Sequence, residues 1–272
     1  MRNFTPARRH VVAVLVALTA FLVARSWLQV SLRDGGLDKL HAADLSYLTF
    51  WPALLLLLLP VLRESGDGLR RLFDPSVLSV RLVLSAVAIG MLIRLAWWSQ
   101  LIAGISLGLY SNDDVDAIVG PQFAFHCPRW SVVALGVLVM AVLVPVTEEL
   151  ICRGFIQSAL YRYGPRVAIV GSAAVFTIFH RPDSWDFAFA AGVVFGAQFW
   201  ITKTLWASLL THSTINVLVQ LDWRCLRGQW NPASSDLPLA TPGIISAALF
   251  VVCSTTIFTI LWKMHRGDNS PR

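Results

Sequence analysis

Three short stretches place polar and ionisable side chains in apolar surroundings. "VTEELICRGF" carries Glu148, Glu149 and Arg153, "FTIFH" carries Phe176 and His180, and "THSTIN" carries His212 and Asn216. Ionisable groups inside apolar segments are costly, and they mark functional sites by default. The spacing within each stretch is helical. Glu149 and Arg153 are four residues apart, so they share a face and can pair. Glu148 is rotated by about 100° from Glu149, which leaves it the less neutralised carboxylate. Phe176 and His180 share a face, and so do His212 and Asn216. Three helices that each turn such a face inward offer one another a carboxylate, two imidazoles and an amide.

That set can activate water. A carboxylate in a low-dielectric cavity can take a proton from water near neutral pH. A histidine can orient the water or relay the proton. A second histidine and an asparagine amide can donate to a developing oxyanion. The sum suits amide hydrolysis. His, His and Glu also form a known zinc triplet, but HExxH is absent. Taken singly, each stretch has a plain structural reading: an ion pair at a helix end, an interfacial histidine before a turn, or hydrogen-bonding glue between helices. All three in order, on separate helices, argue for a site.

The elements that must position these residues are membrane helices. Of 272 residues, 56% are hydrophobic and only 14% are charged, against roughly 25% charged in a soluble domain. Apolar windows of the length a bilayer needs, about 20 residues, recur at roughly 11–31, 45–63, 82–107, 131–150, 166–181, 186–201, 203–221 and 243–263. The expected fold class is therefore all-α, a polytopic membrane protein of about eight transmembrane helices in one bundle. Residues 1–272 form one integral membrane domain, with 145–216 as the catalytic core. The basic N-terminal stretch reads as a first span rather than a cleaved signal, because its apolar run is long and no small-x-small site stands out. Basic residues before span one, between spans two and three, between four and five, and after span eight fall on one side. By the positive-inside rule both termini are cytoplasmic. The net charge of +6 then reflects loops facing anionic lipid rather than nucleic-acid binding. Arg25 and Arg94 lie deeper and read as structural.

Glu148 falls toward the inner end of span four in this scheme, while His180 falls toward the outer end of span five. For them to meet, one helix must be shorter, tilted or kinked, and Pro145 is the expected kink. Cys127 and Cys225 fall in loops on the same outer side, where an oxidising compartment would allow a disulfide. Cys152 and Cys253 fall in or beside spans.

The motifs "EELICR", "FTIFH" and "HSTIN" fit EExxxR, FxxxH and HxxxN. In these the chain resembles the CPBP family of intramembrane proteases, which includes CAAX prenyl endoproteases and bacterial relatives tied to bacteriocin processing or immunity. The resemblance covers about Pro145 to Asn216. It implies an eight-helix bundle and an endopeptidase in which Glu148 activates water and His180 helps hold it. It further implies that His212 and Asn216 line the oxyanion side, that Glu149 and Arg153 shape the site, and that Phe176 packs beside the cavity. A metal-free, glutamate-dependent mechanism is implied, with no cofactor; zinc is the alternative. Cys152 stands at an open position of the first motif, where it is either packing or an acyl acceptor. The expected partners are the bilayer and a membrane-anchored protein or peptide, with C-terminal sorting tails the preferred substrate. The expected location is a bacterial inner membrane. A non-enzymatic immunity or scaffold protein is disfavoured by the intact set of Glu148, His180, His212 and Asn216. A transporter is disfavoured by the lack of a repeat of broken helices.

Overall fold

The computed structural model describes residues 6–37, 39–109, 130–180, 182–220 and 243–268. Cys127 and Cys225, with the disulfide expected between them, lie outside the described residues. Among the described residues, each of the eight expected spans falls mainly on a helix, though only five of these helices are long enough to cross a membrane. The helices are α1 (Arg8–Asp34), α2 (Lys39–Glu64), a short α3 (Gly66–Leu72), α4 (Val80–Ser106), α5 (residues 130–160), α6 (Pro165–Ile178), α7 (Trp185–Thr202), α8 (Leu205–Gln220) and α9 (Gly243–Asp268). The described residues contain no strand, so the all-α class stands. Helices are the form in which a single segment satisfies its own backbone in lipid.

Five of these helices are long and apolar enough to cross a membrane: α1, α2, α4, α5 and α9. The chain is accordingly an integral membrane protein. Helices α6, α7 and α8 have 14, 18 and 16 residues, short of the roughly 20 that span a bilayer. They pack against one another and against α4 and α5. By contrast, α1, α2 and α9 turn long apolar side chains outward, among them Val23, Leu56, Leu57, Val251 and Phe258. Such an outward apolar surface suits lipid. Helices α1 and α2 form a hairpin, closed at one end where Arg9 Nη2 (2.6 Å) and His10 Nε2 (2.8 Å) meet Glu64 Oε2.

Helix α5 corrects the sequence-based boundary. Span four was expected to end at residue 150, but the helix continues to residue 160. Glu148 consequently stands at the midpoint of the apolar stretch Val133–Tyr163, which removes the depth conflict with His180. The polar residues Glu148, Glu149 and Arg153 had suggested a helix end because polar groups usually mark one. Here they face inward instead. The helix also runs on through Pro145. Two stretches, Val137–Leu143 and Leu150–Gln157, wind in the wider π-helical turns, on either side of α-helical Val144–Glu149. Such turns occur in helices mostly at functional sites.

The deep arginines are held within the fold. Arg25 Nη1 donates to Gln29 Oε1 at 3.1 Å, and its guanidinium lies 4.4 Å from the Tyr47 ring. Arg94 lies over Trp97 and Trp98, at 4.7 and 5.1 Å. Cation–π contacts of this kind stabilise a partly desolvated guanidinium.

Candidate active site

Arg153 is fully buried in α5. Its Nη1 donates to Glu149 Oε1 at 3.2 Å, and its Nη2 donates to the Gly192 carbonyl of α7 at 2.9 Å. The guanidinium is flanked by the rings of Phe176 and Phe195, at 4.8 and 5.2 Å. A buried pair repays its desolvation only with good geometry and further hydrogen bonds; these contacts supply part of them, and Arg153 Nε and Glu149 Oε2 remain without a hydrogen-bond partner among the described residues. One turn on, Gln157 Nε2 donates to the Gly196 carbonyl at 2.8 Å, while its Oε1 accepts from Ser172 at 3.1 Å. Arg153 and Gln157 thus contact Gly192 and Gly196 at matching four-residue intervals. The glycines are needed for closeness. A Cβ at Gly192 would come within 3.2 Å of the Ala173 backbone, and one at Gly196 within 3.1 Å of Gln157 Oε1. Small residues four apart let membrane helices approach in this way.

The third motif closes on the first. His212 Nδ1 donates to Glu149 Oε1 at 3.2 Å, on the same oxygen that Arg153 holds. The opposite ring nitrogen, Nε2, then lies 3.8 Å from Glu148 Oε2. The His212 ring stacks on Phe195, with centroids 4.9 Å apart, and meets Phe176 edge-on at 5.7 Å. A carboxylate on one ring nitrogen fixes both the orientation of the ring and its tautomer, so Glu149 orients His212 toward Glu148. Glu148 Oε2 is itself buried with no hydrogen-bond partner among the described residues.

His180 sits at the end of α6, beside this group. Its Nδ1 donates to the Phe176 carbonyl at 2.8 Å, which leaves Nε2 as the acceptor nitrogen. Its ring lies 4.4 Å from that of Phe176. Among the described residues no hydrogen bond links His180 to Glu148; His212 is the imidazole that approaches it. Asn216 Nδ2 donates to the Met140 carbonyl of α5 at 2.6 Å. All three motifs therefore converge, with Phe176 between the two histidines.

Glu148 lines a narrow cleft between the α1–α2 hairpin and the helices that carry the first two motifs. Leu18, Phe21, Tyr47 and Trp51 line one side, and Thr147, Glu148, Cys152 and Phe176 line the other. The cleft leaves about 20 Å³ for the centres of water molecules, enough for about one water. Trp51 Nε1 donates to Thr147 Oγ1 at 2.7 Å, so α2 is tied to the residue next to Glu148. Cys152 is a buried free thiol in this wall.

Several contributors were not singled out from sequence. Gln157 carried a signal, as a polar residue four positions after Arg153 in an apolar helix. Gly192 and Gly196 carried the small-xxx-small spacing. Phe195 and Trp51 carried none, because each is one aromatic among many in apolar helices. Among the described residues, no group of three or more His, Cys, Asp or Glu is arranged to hold a metal ion. Glu149 and one nitrogen of His212 are already engaged with each other.

Residues 129–218 match the protein family described as Type II CAAX prenyl endopeptidase Rce1-like. This segment is about a third of the chain and contains all three motifs. The resemblance to the CPBP family of CAAX-type proteases is borne out over it, and an intramembrane protease activity is what the match supports. No curated protein and no solved structure matches the chain.

Proposed function

We propose that this chain is an intramembrane endopeptidase in which Glu148 activates the attacking water. The observation that carries the reading is the buried, unpartnered Oε2 of Glu148. Glu148 lines a one-water cleft, and this oxygen lies 3.8 Å from the Nε2 of a histidine oriented by Glu149. Glu148 takes a proton as the water oxygen attacks the scissile carbonyl. The charge that develops on that carbonyl oxygen is met by His212 Nε2 when that nitrogen carries a proton, Nδ1 being held by Glu149; Asn216, expected to share this role, has its amide on the Met140 carbonyl instead. Glu148 then returns the proton to the leaving amine. His180, expected to help hold the water, keeps Nε2 as an acceptor but does not line this cleft.

The substrate we propose is a membrane-anchored protein or peptide, with a C-terminal sorting tail as the specific case. The apolar cleft wall supports an apolar residue beside the scissile bond. The location we propose is a bacterial inner membrane, which a sorting-tail substrate implies; loop charge supports only the orientation, with both termini cytoplasmic. No cofactor is needed, since Glu148 supplies the base.

The test is cleavage of a fluorogenic membrane-peptide library in detergent by wild type, Glu148→Gln and Glu148→Ala, each with and without chelator. Activity that survives chelation and vanishes in both variants is the expected result. Loss on chelation with recovery on added zinc would move the chain to the metalloproteases. Full activity in Glu148→Gln would sink the reading.

A further inference from the structure

We infer that Asn216 is a positioning residue whose amide replaces the backbone N–H that Pro145 lacks, fixing the turn that carries Glu148. The inference rests on the role of Glu148 proposed above. In the π-helical stretch before Pro145, each N–H bonds the carbonyl five residues back, and the N–H of Val144 accordingly donates to the Val139 carbonyl. The next bond in that register would run from residue 145 to the Met140 carbonyl. Residue 145 is proline and has no N–H. The Met140 carbonyl is thereby left without a helical donor inside an apolar segment, where an unpaired backbone group is costly.

Asn216 fills that position. Its Nδ2 lies 2.6 Å from the Met140 oxygen. Asn216 stands one turn beyond His212 on α8, and His212 holds Glu149 at 3.2 Å. Helix α8 therefore grips α5 at two points, Met140 and Glu149, and Glu148 lies between them. Proline frees the carbonyl, the π turn presents it, and the amide from the third motif takes it. An asparagine meets the need because it brings an uncharged N–H donor. Aspartate at this place would set an acceptor against an acceptor. The residue acts on the reaction through the backbone of α5 rather than through the substrate.

The test is a four-member cycle: wild type, Asn216→Ala, Pro145→Ala and the double variant. Each is assayed for kcat and KM, and for hydrogen–deuterium exchange of the amides of residues 139–149 in detergent. Asn216→Ala is expected to lower kcat by about tenfold or more, the factor that follows when the cost of the unpaired buried acceptor falls on the barrier, with KM little changed and faster exchange across the turn. In the Pro145→Ala background a backbone N–H is restored to the register, so the same substitution is expected to cost only a few-fold and to leave exchange near that of wild type. If Asn216→Ala costs the same factor with and without Pro145, the amide acts on the substrate and the inference is overturned. If Asn216→Ala is too unstable to purify, recovery of folded protein by Pro145→Ala supports the inference and failure to recover it refutes it. Should wild type prove no peptidase, the proposed function fails by itself. The exchange measurement still decides this inference: equal exchange in Asn216→Ala and wild type overturns it.

Discussion

Glu148 and Glu149 are adjacent and chemically identical, and their surroundings divide their tasks. Glu149 is 1% exposed and engaged by both Arg153 and His212. Both keep a buried Oε2 with no hydrogen-bond partner among the described residues, but Glu148 lines the cleft and Glu149 does not. The expected outcomes differ accordingly. Glu148→Gln should abolish cleavage while leaving the thermal midpoint in detergent within a degree or two of wild type, because no hydrogen bond is lost. Arg153→Ala should destabilise the fold by about 3–5 kcal/mol, the usual cost of removing one partner of a buried pair, and should abolish activity with it. Denaturation followed by tryptophan fluorescence separates the two cases. Arg153→Ala as stable as wild type would mean that the pair contributes little. Of this residue-level picture, the Glu149–Arg153 pair was legible from spacing, since both lie on one helix. The bond from His212 to Glu149 was not, because no periodicity relates residues of α8 to residues of α5.

At the scale of the element, α5 decides the site. Sequence placed its end at residue 150, because hydropathy falls where Glu148, Glu149 and Arg153 occur. The structure carries the helix past them because α7 and α8 supply their partners. Its π turns were not legible either, since the extra residue per turn leaves no mark in composition. The close helix contacts yield a further prediction. A Cβ at Gly90 would come within 2.8 Å of both the Thr211 carbonyl oxygen and the Thr214 Cβ. Thr211 is already fixed there, with its Oγ1 donating to the Ala86 carbonyl at 2.9 Å and accepting from Gln198 Nε2 at 2.8 Å. Gly90→Ala should therefore push α4 from α8 and cost about 1–3 kcal/mol, typical of overpacking, read as a lowered thermal midpoint. An unchanged midpoint would show that the crossing relaxes freely. Helix α8 carries His212, so cleavage should fall along with stability.

Across the whole molecule, polarity is inverted relative to a soluble protein. Arg153, Glu149, Gln157 and Gln198 are among the most deeply buried side chains, while Leu56, Val251 and Phe258 are exposed. That pattern is stable only where lipid covers the outside. The chain should stay in the pellet when membranes are washed with alkaline carbonate, and release into the supernatant would contradict the membrane reading. The cleft wall formed by α1 and α2 makes a second prediction at this scale. Trp51→Phe removes the N–H that meets Thr147 but keeps a ring in the cleft. It should leave the midpoint within about 1 kcal/mol of wild type, the net worth of one hydrogen bond, and change cleavage mainly through KM. An effect confined to kcat would instead place Trp51 in the chemistry.

The sequence by itself determined the all-helical membrane class, the approximate places of the long apolar helices and the residue types of the site. Composition, hydropathy and four-residue spacing are local properties, and helices in lipid obey local rules. Only the tertiary structure decided that Glu149 rather than Glu148 holds His212, that His212 rather than His180 approaches Glu148, and that Asn216 meets the carbonyl left by Pro145. Each of these is a contact between helices distant in sequence, set by how glycines and aromatic rings let α5, α7 and α8 approach.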